Sequence, residues 1–283
     1  MDKKKLTIQA LSEMKRQGRK IKMITAYDYS TAVLVDQSPM DMILVGDSLG
    51  MVVLGYESTV PVTMDEMIHH AKAVVRGARN TFVVADLPFM SYQVSLEDAI
   101  RNSGRLLKEG GADAVKLEGG AAMAETVRGI VSAGIPVMGH IGLTPQTATM
   151  LGGLKVQGRD AAAARALLSD ARALEDAGIF SLVLEAIPSQ LAEMITSELS
   201  IPTIGIGAGP GCDGQVLVLH DALGLFQRFV PKFVKRYASL GDAIGAALVE
   251  YCRDVDTGQF PAPEHCFSMR GDELSRLLEE QPG

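Results

Sequence analysis

The chain has 283 residues, 47% hydrophobic and 22% charged, with a net charge of −7, 5% aromatics and no tryptophan. That balance suits a globular protein and argues against a nucleic-acid partner, because no basic stripe with interleaved aromatics is present. Three cysteines without CxxC spacing (Cys212, Cys252, Cys266) indicate neither a disulfide framework nor a thiolate zinc site, and no apolar run approaches the ~18 residues of a membrane span, so a cytoplasmic protein with no membrane partner is expected.

After Lys3-Lys4-Lys5, which lacks the apolar stretch of a signal peptide, residues 7–17 predict a short helix. Thr7 caps it, Leu11 and Met14 share a face, and Gly18 stops it. A first strand follows at 21–27, a short helix at 30–37 and a second strand at 41–47. The loop 48–62 is long and glycine-containing, which predicts a lid. Thr63 then caps a helix carrying Met64, Met67, Ile68 and Ala71 at helical spacing, with Glu66 completing a capping box. His69 and His70 on that helix read as surface or packing residues. A third strand at 82–86 precedes a helix at 96–109 that starts at Ser95 and stops at Gly110-Gly111.

The fourth strand is predicted at 114–118, a helix at 121–133 and the fifth strand at 136–140. A second long loop, 141–158, leads to an alanine-rich helix at 160–177. The sixth strand (181–186), a helix (189–199), the seventh strand (202–206) and the eighth strand (216–220) complete the series, and helical pattern resumes at 239–254. Eight strands in a repeating strand–loop–helix pattern without a composition break predict one domain over 1–283, an α/β protein with a closed (β/α)8 TIM barrel. Residues 1–19 form its N-terminal helical extension and 257–283, rich in Pro, Gly and charge, a peripheral C-terminal tail.

Most of the strands end on a residue that can do chemistry: Asp28, Asp47 with Ser48, Asp86, Lys116 with Glu118, His140, Glu185, and His220 with Asp221. In such a barrel the C-terminal strand ends meet at one mouth. Strand side chains alternate faces, so Lys116 and Glu118 point the same way, and Asp47, Asp86 and Glu118 converge from three consecutive strands. Three ionised carboxylates in one pocket need a counter-charge, and an all-oxygen ligand set with open positions favours Mg²⁺.

Each residue also has a plainer reading. An Asp after a strand is often a turn former or helix cap. Lys116 could be half of a structural ion pair with Glu118 or Asp86. Glu185 ends the apolar run LVLE, where desolvation suits a general base, but it could also cap the helix near Pro188. His140 could touch an anionic substrate or be a satisfied structural residue, and His220 and Asp221 stay undecided. The glycine run from Gly205 to Gly211 does not match GxGxxG, and permits a phosphate site, a flat ligand or a tight turn.

The motifs MITAYDY, DMILVGDSLGMVVLGY, VTMDEM, VVADLPFMSYQVS, ADAVKLEGG, PVMGHIGLTPQ, KVQGR, IPTIGIGAGPGCDGQVLV and FVKRY together resemble the ketopantoate hydroxymethyltransferase family over about residues 5 to 267. Departures are small: Leu154 and Leu219 stand at expected aromatic positions, and Gln37-Ser38-Pro39 replaces a more usual turn. The resemblance implies a barrel of the phosphoenolpyruvate/pyruvate type. It implies transfer of a hydroxymethyl unit from 5,10-methylenetetrahydrofolate to 3-methyl-2-oxobutanoate through a Mg²⁺-stabilised enolate, giving 2-dehydropantoate for pantothenate and coenzyme A synthesis. Asp47 and Asp86 match its metal ligands, and Glu118 matches a position holding the metal through water. Glu185 matches the base, and the expected substrate contacts are Asp47, Ser48, Asp86, Lys116 and His140. A homo-oligomer, specifically a decamer, is likewise implied.

Overall fold

The computed structural model describes residues 3–280. Residues 1–2 of the predicted N-terminal extension and 281–283 of the predicted tail lie outside the described residues. The elements run α1 (Ile8–Arg16), β1 (Ile21–Thr25), α2 (Tyr29–Gln37), β2 (Met42–Val45), α3 (Leu49–Val52), α4 (Met64–Gly77), β3 (Phe82–Asp86), α5 (Leu96–Lys108) and β4 (Ala114–Lys116). They continue with α6 (Ala124–Ser132), β5 (Val137–Gly142), α7 (Ala161–Asp176), β6 (Ser181–Glu185), α8 (Ser189–Glu198), β7 (Thr203–Ile206), β8 (Gly214–Leu217), α9 (Leu219–Ala222), α10 (Leu240–Asp256) and α11 (Gly271–Glu279).

The eight strands pair in parallel in chain order and close through β8 on β1, so the predicted barrel is observed. Buried strands of this kind carry apolar side chains on both faces. Inward residues such as Met23, Met42, Val84, Met138, Val183 and Val216 fill the barrel. Outward residues such as Ile43, Val83, Val115 and Leu182 pack under the helices. The capping signals are satisfied: Thr7, Thr63 and Ser95 accept from backbone N–H groups of α1, α4 and α5, and Thr63 with Glu66 forms the full capping box.

The floor of the barrel is closed by α1. Its Leu11 and Met14 are each 1% exposed and belong to the inward cluster. Aspartates at the strand starts tie this end together. Asp113 accepts from the Val83 amide and pairs with Lys5 at 2.7 Å. Asp213 accepts from the Thr203 amide and pairs with Lys15 at 2.7 Å. Asp41 accepts from the Lys22 amide and pairs with the Lys22 ammonium at 3.0 Å.

Two features depart from the sequence reading. β8 spans Gly214–Leu217 rather than 216–220, because its pairing with β1 ends at Ile24–Leu217. The Leu219 amide then donates to the Thr25 hydroxyl at 2.9 Å and the chain turns into α9, so His220 and Asp221 lie on a helix. As the sequence reading has it, no helix separates β7 from β8; the glycine run crosses the wall as a short connection, leaving Gln215 of β8 exposed. The C-terminal tail contains α11, and both α10 and α11 bury no residue.

Candidate active site

At the C-terminal mouth, Asp47, Asp86, Lys116, Glu118, His140 and Glu185 line one cavity of about 120 Å³. Asp47, Asp86, Lys116, Glu118 and His140 are each 5% exposed or less, whereas the Glu185 side chain is 15% exposed. Asp47 follows β2 and Glu185 ends β6, four strands on, so they stand on opposite walls. Ser48 also lines the cavity, and its hydroxyl lies 2.8 Å from that of Tyr27. Asp28 is not part of the site: it caps α2, accepting from Thr31. His70 bonds the Tyr27 carbonyl and His69 is exposed, as expected for packing and surface residues.

Backbone features hold these side chains in place. Gly46 lets the chain pass close to Asp86, where a Cβ would sit 2.9 Å from Ser48 Oγ. The Asp47 amide thereby donates to Asp86 Oδ2 at 3.1 Å. Gly142 pairs with Glu185 across β5 and β6 at φ 98°, and a Cβ there would lie 2.2 Å from the Glu185 carbonyl oxygen. The residue after Glu185, Ala186, takes φ 47°, a left-handed conformation that costs a non-glycine residue about 1–2 kcal/mol.

Among the described residues, Lys116 is the only ammonium lining the cavity. Its Nζ is 2.7 Å from Asp86 Oδ1 and 3.2 Å from His140 Nδ1. Burial alone would lower its pKa, but Asp86, Glu118 and Asp47 outweigh that and hold it above the usual lysine range. The Leu143 carbonyl can only accept, so the 2.9 Å contact from His140 places the proton on Nε2 and leaves Nδ1 to receive Lys116. That same Nε2 is 3.3 Å from Glu185 Oε2. His140 therefore connects the lysine to the opposite carboxylate, a bridging position the sequence left open.

The carboxylates carry more negative charge than Lys116 compensates. Burial, then repulsion from Asp86, pushes Asp47 up to about 7. Burial, then Asp47, holds Glu118 well above the ordinary range. Asp86 Oδ1 makes a close ionic contact with Lys116 but no directed hydrogen bond. Among the described residues no three His, Cys, Asp or Glu side chains are placed to cage an ion by themselves. The buried, undercompensated pair Asp47 and Asp86 fits a hard cation that keeps water and takes oxygens from a bound substrate.

Several residues of the site were missed in the sequence. Gln146, on a single 3₁₀ turn at Pro145–Thr147, is 4% exposed and reaches Asp47 and Glu118. Tyr92, 2% exposed, bonds Gln146 and the Glu118 backbone. Thr59 lines the cavity with its buried hydroxyl unpartnered. Asp221 lines it too, its carboxyl raised by burial to about 6, while His220 packs against Tyr27 with ring centroids 5.4 Å apart. A larger groove of about 880 Å³ runs beside Gly207 and Pro210; it shares Phe233 with the cavity but none of the carboxylates.

The barrel resembles solved structures at low identity. A phosphonopyruvate hydrolase crystallised with oxalate and Mg²⁺ aligns with TM-score 0.61 and 13% identity, covering 96% of this chain and 97% of that one. A 2,3-dimethylmalate lyase, a member of the PEP mutase/isocitrate lyase superfamily, aligns with TM-score 0.57 and 16% identity over 96% and 98%. These likenesses establish the barrel type. Sequence relatives are much nearer. The 3-methyl-2-oxobutanoate hydroxymethyltransferase of Heliobacterium modesticaldum is 66% identical over 97% of this chain and 99% of its own. That of Moorella thermoacetica is 64% identical over 93% and 98%. A family profile described as ketopantoate hydroxymethyltransferase matches residues 5–263, so this chain belongs to the ketopantoate hydroxymethyltransferase family and is a transferase.

Proposed function

We propose that this chain transfers a hydroxymethyl unit from 5,10-methylenetetrahydrofolate to 3-methyl-2-oxobutanoate, giving 2-dehydropantoate for pantothenate and coenzyme A synthesis. The observation that carries this reading is the division of the mouth into two walls. One holds Asp47, Asp86, Lys116 and Glu118; the other presents Glu185, the most open carboxylate of the set. A small 2-oxo acid between them would have its oxygens toward the first wall and its C3–H toward the second.

Asp47 and Asp86 would hold Mg²⁺ directly, with Glu118 behind them through water. Bound there, the ion would polarise the 2-oxo group and acidify the neighbouring C–H. Glu185 takes the C3 proton, and its carboxylate is steadied by His140 Nε2. Lys116 sits where negative charge develops on the substrate oxygen and offsets it. The resulting carbon nucleophile bonds to the methylene carbon as that carbon's C–N bonds to folate break, and one water supplies the hydroxyl oxygen while the folate nitrogens leave protonated. Ser48 and His140 complete the substrate contacts, and the segment 48–62 covers the acid and limits water.

The same reading includes assembly into a homo-oligomer, a decamer in the family pattern. The exposed apolar residues Ile244, Leu248 and Val249 of α10 support association with further copies. It also includes a cytoplasmic location, supported by cysteines that form no disulfide. No helix among the described residues is long and apolar enough to cross a membrane.

The test is incubation with Mg²⁺ and 3-methyl-2-oxobutanoate in D₂O, followed by addition of the folate donor. C3 deuterium exchange, then product, is expected. Absence of exchange would overturn the enolising reading. Exchange without product would move the chain toward the lyases and mutases of the same barrel type. In parallel, EDTA should lower the melting temperature of wild type, and Asp86→Ala should remove most of that difference. An equal Mg²⁺ shift in the variant would remove Asp86 from the metal site.

A further inference from the structure

Three buried carboxylates at the mouth, Asp47, Asp86 and Glu118, share one pattern. Each has one oxygen tied by an amide N–H, and Asp86 turns its other oxygen to Lys116 at 2.7 Å. Asp86 Oδ2 accepts from the Asp47 amide at 3.1 Å. Asp47 Oδ2 accepts from the Gln146 side chain at 2.8 Å. Glu118 Oε2 accepts from the Gln146 backbone at 3.1 Å. Two of the three ties therefore come from one residue, which lies on neither strand it serves.

The Gln146 amide has no freedom to turn. Its Nε2 donates to Asp47 and, at 2.9 Å, to the Leu87 carbonyl. Its Oε1 accepts from the Tyr92 hydroxyl at 2.7 Å. Tyr92 is itself anchored, its hydroxyl accepting from the Glu118 amide at 3.2 Å and lying 3.1 Å from the Glu118 carbonyl. A flipped amide would set Oε1 against Asp47 Oδ2 and the Leu87 carbonyl, three acceptors with no proton among them. The Leu87 carbonyl thus dictates that the Gln146 side chain offers a donor to Asp47, and the Tyr92 hydroxyl braces its oxygen.

These donors are neutral. A lysine or arginine in the place of Gln146 would hold the same oxygens but cancel the charge that attracts a cation. Amide donors fix the direction of a carboxylate while leaving its charge to the cavity. Residues that orient metal ligands in this way tune affinity and geometry together.

We propose that Gln146 is a positioning residue, braced by Tyr92, that sets the spacing of Asp47 and Glu118 for a small octahedral cation. The proposal rests on the assignment of these carboxylates to a divalent metal, made above. Mg²⁺ demands near-ideal octahedral geometry, whereas Ca²⁺ tolerates variable coordination. Loosening the carboxylates should therefore weaken Mg²⁺ more than Ca²⁺.

The experiment is calorimetric titration of the full chain with Mg²⁺ alone and with Ca²⁺ alone, for wild type, Gln146→Met and Tyr92→Phe. Gln146→Met keeps the backbone N–H and similar length but loses the side-chain donors. Its Mg²⁺ dissociation constant should rise about 10- to 100-fold, as for other outer-shell partners of metal ligands. Its Ca²⁺ constant should change less than about threefold. Tyr92→Phe touches no carboxylate oxygen and should shift the Mg²⁺/Ca²⁺ ratio in the same direction by less, so it decides the matter if Gln146→Met does not fold. Equal loss of both cations, or no change in either, would overturn the positioning role. If wild type binds Mg²⁺ no better than Asp86→Ala, the metal assignment itself fails, a result distinct from either.

Discussion

The two ends of this barrel treat charge in opposite ways. On the floor, Asp41, Asp113 and Asp213 each have a lysine of their own, Lys22, Lys5 and Lys15, at 3.0, 2.7 and 2.7 Å. Each aspartate also accepts from a backbone amide at a strand start. At the mouth, Asp47, Asp86, Glu118, Glu185 and Asp221 share, among the described residues, a single ammonium, Lys116. The floor is plugged by Leu11 and Met14, while the mouth keeps an open cavity and a left-handed Ala186. Compensated charge with close packing stabilises a fold; uncompensated buried charge opposes folding and is retained where a ligand completes it.

If that division is correct, function and stability should separate by end. The largest expected effect is at the mouth. Glu185→Gln keeps the size of the side chain and its hydrogen-bonding shape but cannot take a proton. It should lower C3 exchange and product formation together by on the order of 10²–10⁴-fold, the range for a lost general base. Mg²⁺ and substrate affinity should stay near wild type, and so should the unfolding midpoint. Exchange at the wild-type rate with transfer abolished would assign the base elsewhere.

The floor should show the reverse. Leu11 is 1% exposed inside the inward cluster. Leu11→Ala leaves a cavity under the strands and should cost about 2–5 kcal/mol in urea unfolding. Because α1 packs at the end away from the carboxylates, the turnover of the folded fraction should change little. A loss of turnover comparable to that of Glu185→Gln, at full folding, would show that the two ends are coupled.

How far the sequence allowed this division to be read depends on what fixes each residue. Strands declare themselves by short apolar runs between glycines, so the barrel and the acids at its strand ends were readable. The end of β8 was not: Val218 and Leu219 continue the apolar run, and only the loss of pairing with β1 stops the strand. The direct connection between β7 and β8 was readable, since only the glycine run stands between them. Gln146, Tyr92 and Thr59 escaped because they lie in irregular segments, whose path is set by tertiary contacts such as Tyr92 to Gln146 rather than by periodicity. The floor aspartates escaped for a different reason: an Asp before a strand looks like any turn residue.

The undercompensated charge should also be visible as a pH dependence of stability in the protein freed of divalent ions. Asp47 sits at about 7 in the fold, raised by burial and by Asp86 from an ordinary value of 3.8. Below about pH 4 the carboxyl is protonated in both folded and unfolded chains and exerts no penalty. Between pH 4 and 7 the unfolded chain releases this proton while the folded chain keeps it, so stability falls as pH rises, levelling once the folded carboxyl has ionised. Glu118, also raised, acts in the same direction. For Asp47 alone the loss is on the order of 2–4 kcal/mol. Urea unfolding in EDTA from pH 5 to 8 should therefore slope downward for wild type. Asp47→Asn, neutral throughout, should slope less, and saturating Mg²⁺ should raise wild type most at the alkaline end, where the carboxylates it would bind are ionised. Parallel curves for wild type and Asp47→Asn would mean that Asp47 is already compensated, and the contrast between floor and mouth would then rest on Glu118 and Asp86 alone.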